Sequence, residues 1–200
     1  IGLTVAEDLA FALENDAIPQ DEMKKRVMEA AKVTDMKAFM HHSPSDLSGG
    51  QKQRVSMGGV LVDDVEILLF DEPLANLDPA TGKSTIALID DIMKQKNVTV
   101  LIIEHRLEDV LYKDVDRIIV VGEGRIVSDT TPDELLASDI LIREGIREPL
   151  YVTALKHTGA KIRPEDHPQH IETMDVSKYV SGVREWFEST RTERPTHDTA

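Results

Sequence analysis

Two short apolar runs, each stopping at charged residues, constrain this chain most. Ile67-Leu68-Leu69-Phe70 ends at Asp71-Glu72-Pro73, and the run from Val98 to Ile103 ends at Glu104-His105. Runs this short and this continuous suit strands buried on both faces. Between them Pro79 takes a first helical position, and a helix is expected to about residue 96. Strands alternating with helices imply an α/β sheet. Ligands bind such sheets at the carboxyl ends of the strands, which makes Asp71, Glu72 and His105 candidates by position.

The chain before these runs reads as helix. Thr4-Val5-Ala6-Glu7 has the form of a capping box, so a helix should cover residues 5–14. Pro19 opens a second helix to about residue 33, a short one follows over 36–40, and Ser43-Pro44-Ser45-Asp46 breaks the pattern. Helix resumes after Leu47-Ser48 to about residue 62. Beyond the runs come a short helix over 107–112 and a strand pair, 117–121 and 125–127, joined by the tight turn Gly122-Glu123-Gly124. Thr131-Pro132-Asp133-Glu134 starts another helix. After Pro149 a helix over 150–157, a loose connector, a helix over 176–187 and a disordered end are expected. The division is a helical part, 1–62, an α/β part, 63–148, and an extension, 149–200.

Charge narrows the function classes. With 23 Lys+Arg against 37 Asp+Glu the net charge is −14, which argues against a nucleic-acid partner, because such a partner needs a basic stripe. Aromatic residues make up 4%, too few for base-stacking platforms. There is no Cys, so disulfides, thiolate nucleophiles and Cys-based zinc sites are absent. No apolar run approaches the ~20 residues of a membrane span.

Four groups of residues carry chemistry, each with an ordinary structural reading beside it. Leu47-Ser48-Gly49-Gly50-Gln51 sets two glycines behind an N-cap serine, so bare N–H groups meet the positive end of a helix dipole. That is an anion site, or simply a Ser-capped helix. Asp71 can serve Mg²⁺, a hard ion, and Glu72 can orient a water or take its proton; equally, both can be solvated loop carboxylates. Ala75-Asn76-Leu77-Asp78 follows, and His105 closes the second run, where a lone histidine is usually structural. His41 and His42 point apart as neighbours, and Pro168 spoils the metal spacing of His167 and His170, so exposed imidazoles are expected. Met23, Met28, Met36 and Met40 are read as core filling.

In this order the groups resemble the motifs of ATP-binding cassette (ABC) ATPases. Leu47–Gln51 is similar to the signature motif, Ile67–Glu72 to the Walker B strand, Ala75–Asp78 to the D-loop and His105 to the switch histidine. The resemblance covers roughly residues 1–145 and implies a partial P-loop NTPase fold, a helical subdomain plus the distal part of the catalytic sheet. It implies that Asp71 serves Mg²⁺, that Glu72 is the catalytic base and that His105 contacts the γ-phosphate of ATP. Ser48, Gly49, Gly50 and Gln51 would contact the nucleotide of a second ATPase domain, with Asp78 in the nucleotide-facing D-loop. The stretches 1–15, 103–109 and 145–151 resemble the first half of the duplicated ATPases of energy-coupling-factor vitamin importers. Implied partners are that second ATPase domain and transmembrane importer subunits, with the chain peripheral at the cytoplasmic face of the membrane.

The family's Gly-rich phosphate loop, adenine-stacking segment and Q-loop glutamine are missing, as though the chain began just after that glutamine. Alone it is therefore expected not to turn over ATP. Gly82-Lys83-Ser84-Thr85 imitates the end of a phosphate loop, but Leu77 stands where the required first glycine would be. Lys83 is expected on a solvated helical face. Two alternatives stay open: a soluble ABC ATPase of translation or DNA repair, and a non-catalytic interaction fragment.

Overall fold

The computed structural model describes residues 2–63, 65–75 and 77–192. Ile1, Asp64, Asn76 of the D-loop resemblance and residues 193–200, part of the end expected to be disordered, lie outside them. The chain forms two compact units, Ile1–Glu104 and His105–Ala200.

The first unit opens with helices α1 (Val5–Asn15), α2 (Gln20–Val33) and α3 (Gly49–Leu61). The capping box at Thr4 forms: its hydroxyl accepts from the Glu7 N–H, and the Glu7 carboxylate accepts from the Thr4 N–H. Two further donors of the first turn, the N–H groups of Val5 and Ala6, reach the carbonyls of His42 and Met40 at 3.0 Å each. Val5, Leu9, Leu13, Val27, Ala30, Ala31, Met36 and Val55 are buried. Helix α3 approaches α1 closely at Gly58, where a Cβ would stand 2.6 Å from Leu9 Cδ2. Met36 and Met40 join the buried set as expected; Met28 does not, its side chain facing solvent.

Strand β1 (Ile67–Asp71) pairs in parallel with β2 (Thr99–Ile103), Leu69 opposite Leu101 and Asp71 opposite Ile103. The crossover is α4 (Pro79–Lys96), which contains the whole Gly82-Lys83-Ser84-Thr85 string. Lys83 is exposed, so the imitation is a helical face and not a phosphate loop. The expectation of strands buried on both faces is overturned. Residues 67, 69, 101 and 103 share one face of the pleat, and Ile67, Leu69, Leu101 and Ile103 are 48–65% exposed. Leu68 is buried on the opposite face, and α4 packs on β2. Among the described residues of this unit no element covers the first face.

The second unit holds α5 (Leu107–Val110), the antiparallel strands β3 (Ile118–Gly122) and β4 (Arg125–Thr130), then α6 (Pro132–Ala137), α7 (Ile140–Arg143), α8 (Leu150–His157) and α9 (Val180–Thr192). The hairpin closes through Glu123 and Gly124, both at positive φ (48° and 72°), as a two-residue turn of matching twist requires. Helix α7 was not foreseen. The connector expected to be loose is packed: Ile162 and Met174 enter one core with Leu111, Val120, Leu135, Leu136, Leu141, Val152 and Tyr179. Polar contacts hold the rest of it. Tyr151 Oη donates to the Pro168 carbonyl, the Gln169 N–H to Asp133 at 2.9 Å, and His167 and His170 pair with Asp133 and Asp114 at 3.1 and 2.8 Å. His167 is exposed as expected, but His170 is half-buried. Among the described residues no group of three or more His, Asp or Glu side chains could hold a metal ion.

Candidate functional site

The site residues of the first unit assemble where α3 begins and β1 ends. Ser48 caps α3: its hydroxyl oxygen accepts from the Gln51 N–H at 3.3 Å, and Gln51 Oε1 accepts from the Ser48 N–H at 2.9 Å. The Ser48 carbonyl takes the Lys52 N–H. The hydroxyl proton of Ser48 and the first-turn N–H groups of Gly49 and Gly50 remain as donors at the positive end of the helix. A Cβ at Gly49 would meet nothing within 4 Å, so no internal contact requires glycine there and the space before the helix end is open.

Asp71 and Glu72 stand at the carboxyl end of β1, both exposed. Among the described residues neither carboxylate is engaged by a hydrogen bond or an ion pair. Asp71 thus offers free, hard oxygen donors, the chemistry Mg²⁺ prefers, and the residues present fit that ion. Glu72 has a left-handed backbone, φ +47°, unusual for a residue with a Cβ. Its N–H donates to the Ile103 carbonyl at 2.9 Å, and its carbonyl accepts from Ala75 at 3.0 Å. The turn that follows is held from two sides. The Gln53 side chain on α3 donates to the Pro73 carbonyl, and the Leu74 N–H donates to Glu104 Oε1 at 2.8 Å.

Asp78, the last residue of the D-loop resemblance, is the N-cap of α4. Its Oδ1 accepts from the N–H groups of Ala80 and Thr81, at 3.0 Å each, and its Oδ2 from the Thr81 hydroxyl at 2.5 Å, so the carboxylate caps α4. The Thr81 hydroxyl first, then the N–H groups, hold that carboxyl below the usual carboxylate range. The starts of α3 and α4 lie side by side, for a Cβ at Gly50 would lie 3.3 Å from Thr81 Cγ2. Ser48, Gly49, Gly50, Gln51, Asp71, Glu72 and Asp78 therefore belong to one unit. His105 is exposed and opens the other unit, two residues past β2. Gln53 and Glu104, which hold the turn after Glu72, are not among the residues singled out from the sequence. The available signal was their place in the string, two residues past Gln51 and one before His105.

Comparisons with known proteins bear on the family and the fold. A family model described as "ABC transporter" matches residues 2–75, and one described as "ATP-binding cassette cobalt transporter" matches residues 138–200. The chain is 54% identical over 192 residues to a Vibrio vulnificus protein named as an ABC transporter ATP-binding protein, a match covering 96% of this chain and 33% of that protein. The chain thus spans about a third of the length of the curated relatives it matches. Among solved structures, cbiO1 from Clostridium perfringens, described as part of the ABC transporter complex cbiONQ, superposes with a TM-score of 0.66 at 32% identity, over 78% of this chain and 62% of that one. A bacterial ABC transporter cassette solved as a dimer gives 0.53 at 28% identity, over 64% and 56%. The ordered motifs, the parallel pair with its acidic terminus, the capped glycine helix and these matches point one way: this stretch of chain is similar to the ATP-binding cassette ATPases.

Proposed function

We propose that this chain contributes to the ATP-hydrolysing subunit of an ABC importer of the energy-coupling type, working peripherally on transmembrane subunits at the cytoplasmic face. The observation that carries the reading is the meeting, in one unit, of a glycine helix start rich in free donors with two unengaged carboxylates at the end of a parallel strand. Glu72 orients and deprotonates the attacking water. Asp71 holds Mg²⁺, which supplies charge neutralisation on the phosphates. Ser48 and the N–H groups of Gly49 and Gly50 grip the γ-phosphate of ATP bound to a second ATPase domain, with Gln51 completing their cap. His105 contacts the γ-phosphate of ATP, and Asp78 belongs to the nucleotide-facing D-loop while its carboxylate caps α4. The names of the relatives favour a transporter over a soluble ATPase of translation or repair. The cargo is a small solute chosen by a membrane subunit. The family resemblance suggests a vitamin, whereas the model matched at 138–200 is described for a cobalt transporter. Among the described residues no helix is long and apolar enough to cross a membrane.

The test uses the full-length protein in its transporter complex. Glu72→Gln should keep ATP binding while hydrolysis falls by about 10²–10⁴. Asp71→Asn should weaken Mg²⁺-dependent binding instead. Wild-type turnover in Glu72→Gln would refute the site, and identical binding and rate defects in both variants would refute the division of roles.

A further inference from the structure

The left-handed backbone at Glu72 raises the question of what imposes it, because such a conformation persists only where the surroundings over-determine it. The two backbone bonds at Glu72 itself are made by Ile103 and Ala75. The next residue, Pro73, has no N–H to contribute. The peptide plane between Pro73 and Leu74 is then seized at both ends: its C=O accepts from the Gln53 side chain, and its N–H donates to Glu104 Oε1. A trans peptide points these two groups in opposite directions. One side chain from α3 and one from the end of β2 therefore clamp a single plane from opposite sides and fix its rotation. Leu74 is itself fully buried, so the plane has no room to settle elsewhere.

We propose that Gln53 and Glu104 are positioning residues for Glu72, holding the turn so that its carboxylate faces the attacking water. The inference rests on the role given to Glu72 above. It also accounts for the residue types. The clamp needs a neutral amide donor on one side, which Glu at position 53 could not supply, and an oxygen acceptor on the other, which Gln at position 104 could. A carboxylate displaced by about 1 Å loses much of its catalytic effect while nucleotide affinity, set by other groups, stays.

The experiment measures kcat and KM for ATP, with melting temperature alongside, in the full-length complex. Gln53→Ala and Glu104→Leu should each lower kcat tenfold or more, roughly, with KM within about twofold. Glu104→Gln keeps the acceptor and should restore kcat to within about twofold of wild type. In a Glu72→Gln background, adding Gln53→Ala should change the residual rate less than about twofold, because there is no carboxylate left to position. Wild-type kcat in Gln53→Ala overturns the clamp, even if Glu104→Leu fails to fold. So does an equal loss from Gln53→Ala with and without Glu72, which is what a merely structural role gives. If Glu72→Gln abolishes turnover while both clamp variants keep it, the clamp alone falls; if Glu72→Gln turns over normally, the site reading falls and takes the clamp with it.

Discussion

Lys156→Met tests how the segment after Pro149 is bound into the second unit. The Glu148 side chain is 1% exposed, and Oε1 lies 2.6 Å from Lys156 Nζ, itself 15% exposed. Its other oxygen, Oε2, is buried and has no hydrogen-bond partner among the described residues. Lys156 also donates to the Ser138 carbonyl, which ties α8 to the end of α6. At 2.6 Å and an effective dielectric of ~20, the attraction is about 6 kcal/mol. Most of that offsets the cost of bringing both charges out of water, so the pair nets little. Methionine keeps the length of the stem and removes only the cation, leaving a carboxylate that has lost its water and gained nothing. The expected loss is about 3–5 kcal/mol, whereas Glu148→Met with Lys156→Met should return to within about 1–2 kcal/mol of wild type or exceed it. The single tryptophan of the sequence, Trp186 on α9, reports the second unit by fluorescence during urea unfolding. A loss under about 1 kcal/mol in Lys156→Met, or a double variant as unstable as the single one, would refute the reasoning.

In the full-length protein with its partner ATPase domain, Gly50→Asp sets a carboxylate where a γ-phosphate must approach and a Cβ 3.3 Å from Thr81 Cγ2. Occlusion at the partner's phosphate loop should fail while ATP binding at the chain's own loop persists; loss at the Glu72 site instead would refute the trans assignment. Gly58→Val drives a Cβ to 2.6 Å from Leu9 Cδ2 and should cost about 1–3 kcal/mol by denaturant titration, since Leu9 is wholly buried. At Asp166 burial pushes the carboxyl up, but hydrogen bonds from Lys178, Tyr179 and the Arg163 N–H outweigh it and hold the value at about 2. A depressed folded value means that this carboxylate's stabilisation is complete above about pH 4 and lost as pH falls through about 2. Asp166→Asn should remove that acid dependence from the Trp186 signal.

What the sequence determined by itself was local. The capping box at Thr4 forms as read, and Ser48 and Thr131 cap their helices as read, because each cap is closed by hydrogen bonds within three residues. Pro79 starts its helix, and Glu123-Gly124 turns its hairpin, for the same reason. The family resemblance was legible too, because the motifs that carry it are short strings in a fixed order. The tertiary structure decided burial and the company each residue keeps. Apolar alternation marks Ile67, Leu69, Leu101 and Ile103 as able to be buried, yet burial needs a second layer, which no string of one strand contains. The residues after Pro149 look loose in composition, yet Ile162 and Met174 find a core made mostly by residues 111–152. Asp78 reads as part of the D-loop in its motif, and the fold also engages its carboxylate with Thr81. Gln53 and Glu104 lie 51 positions apart and meet on one peptide plane. A hydrogen bond between neighbours costs little chain entropy and can be read from spacing, whereas a contact between distant residues exists only after the elements carrying them have packed.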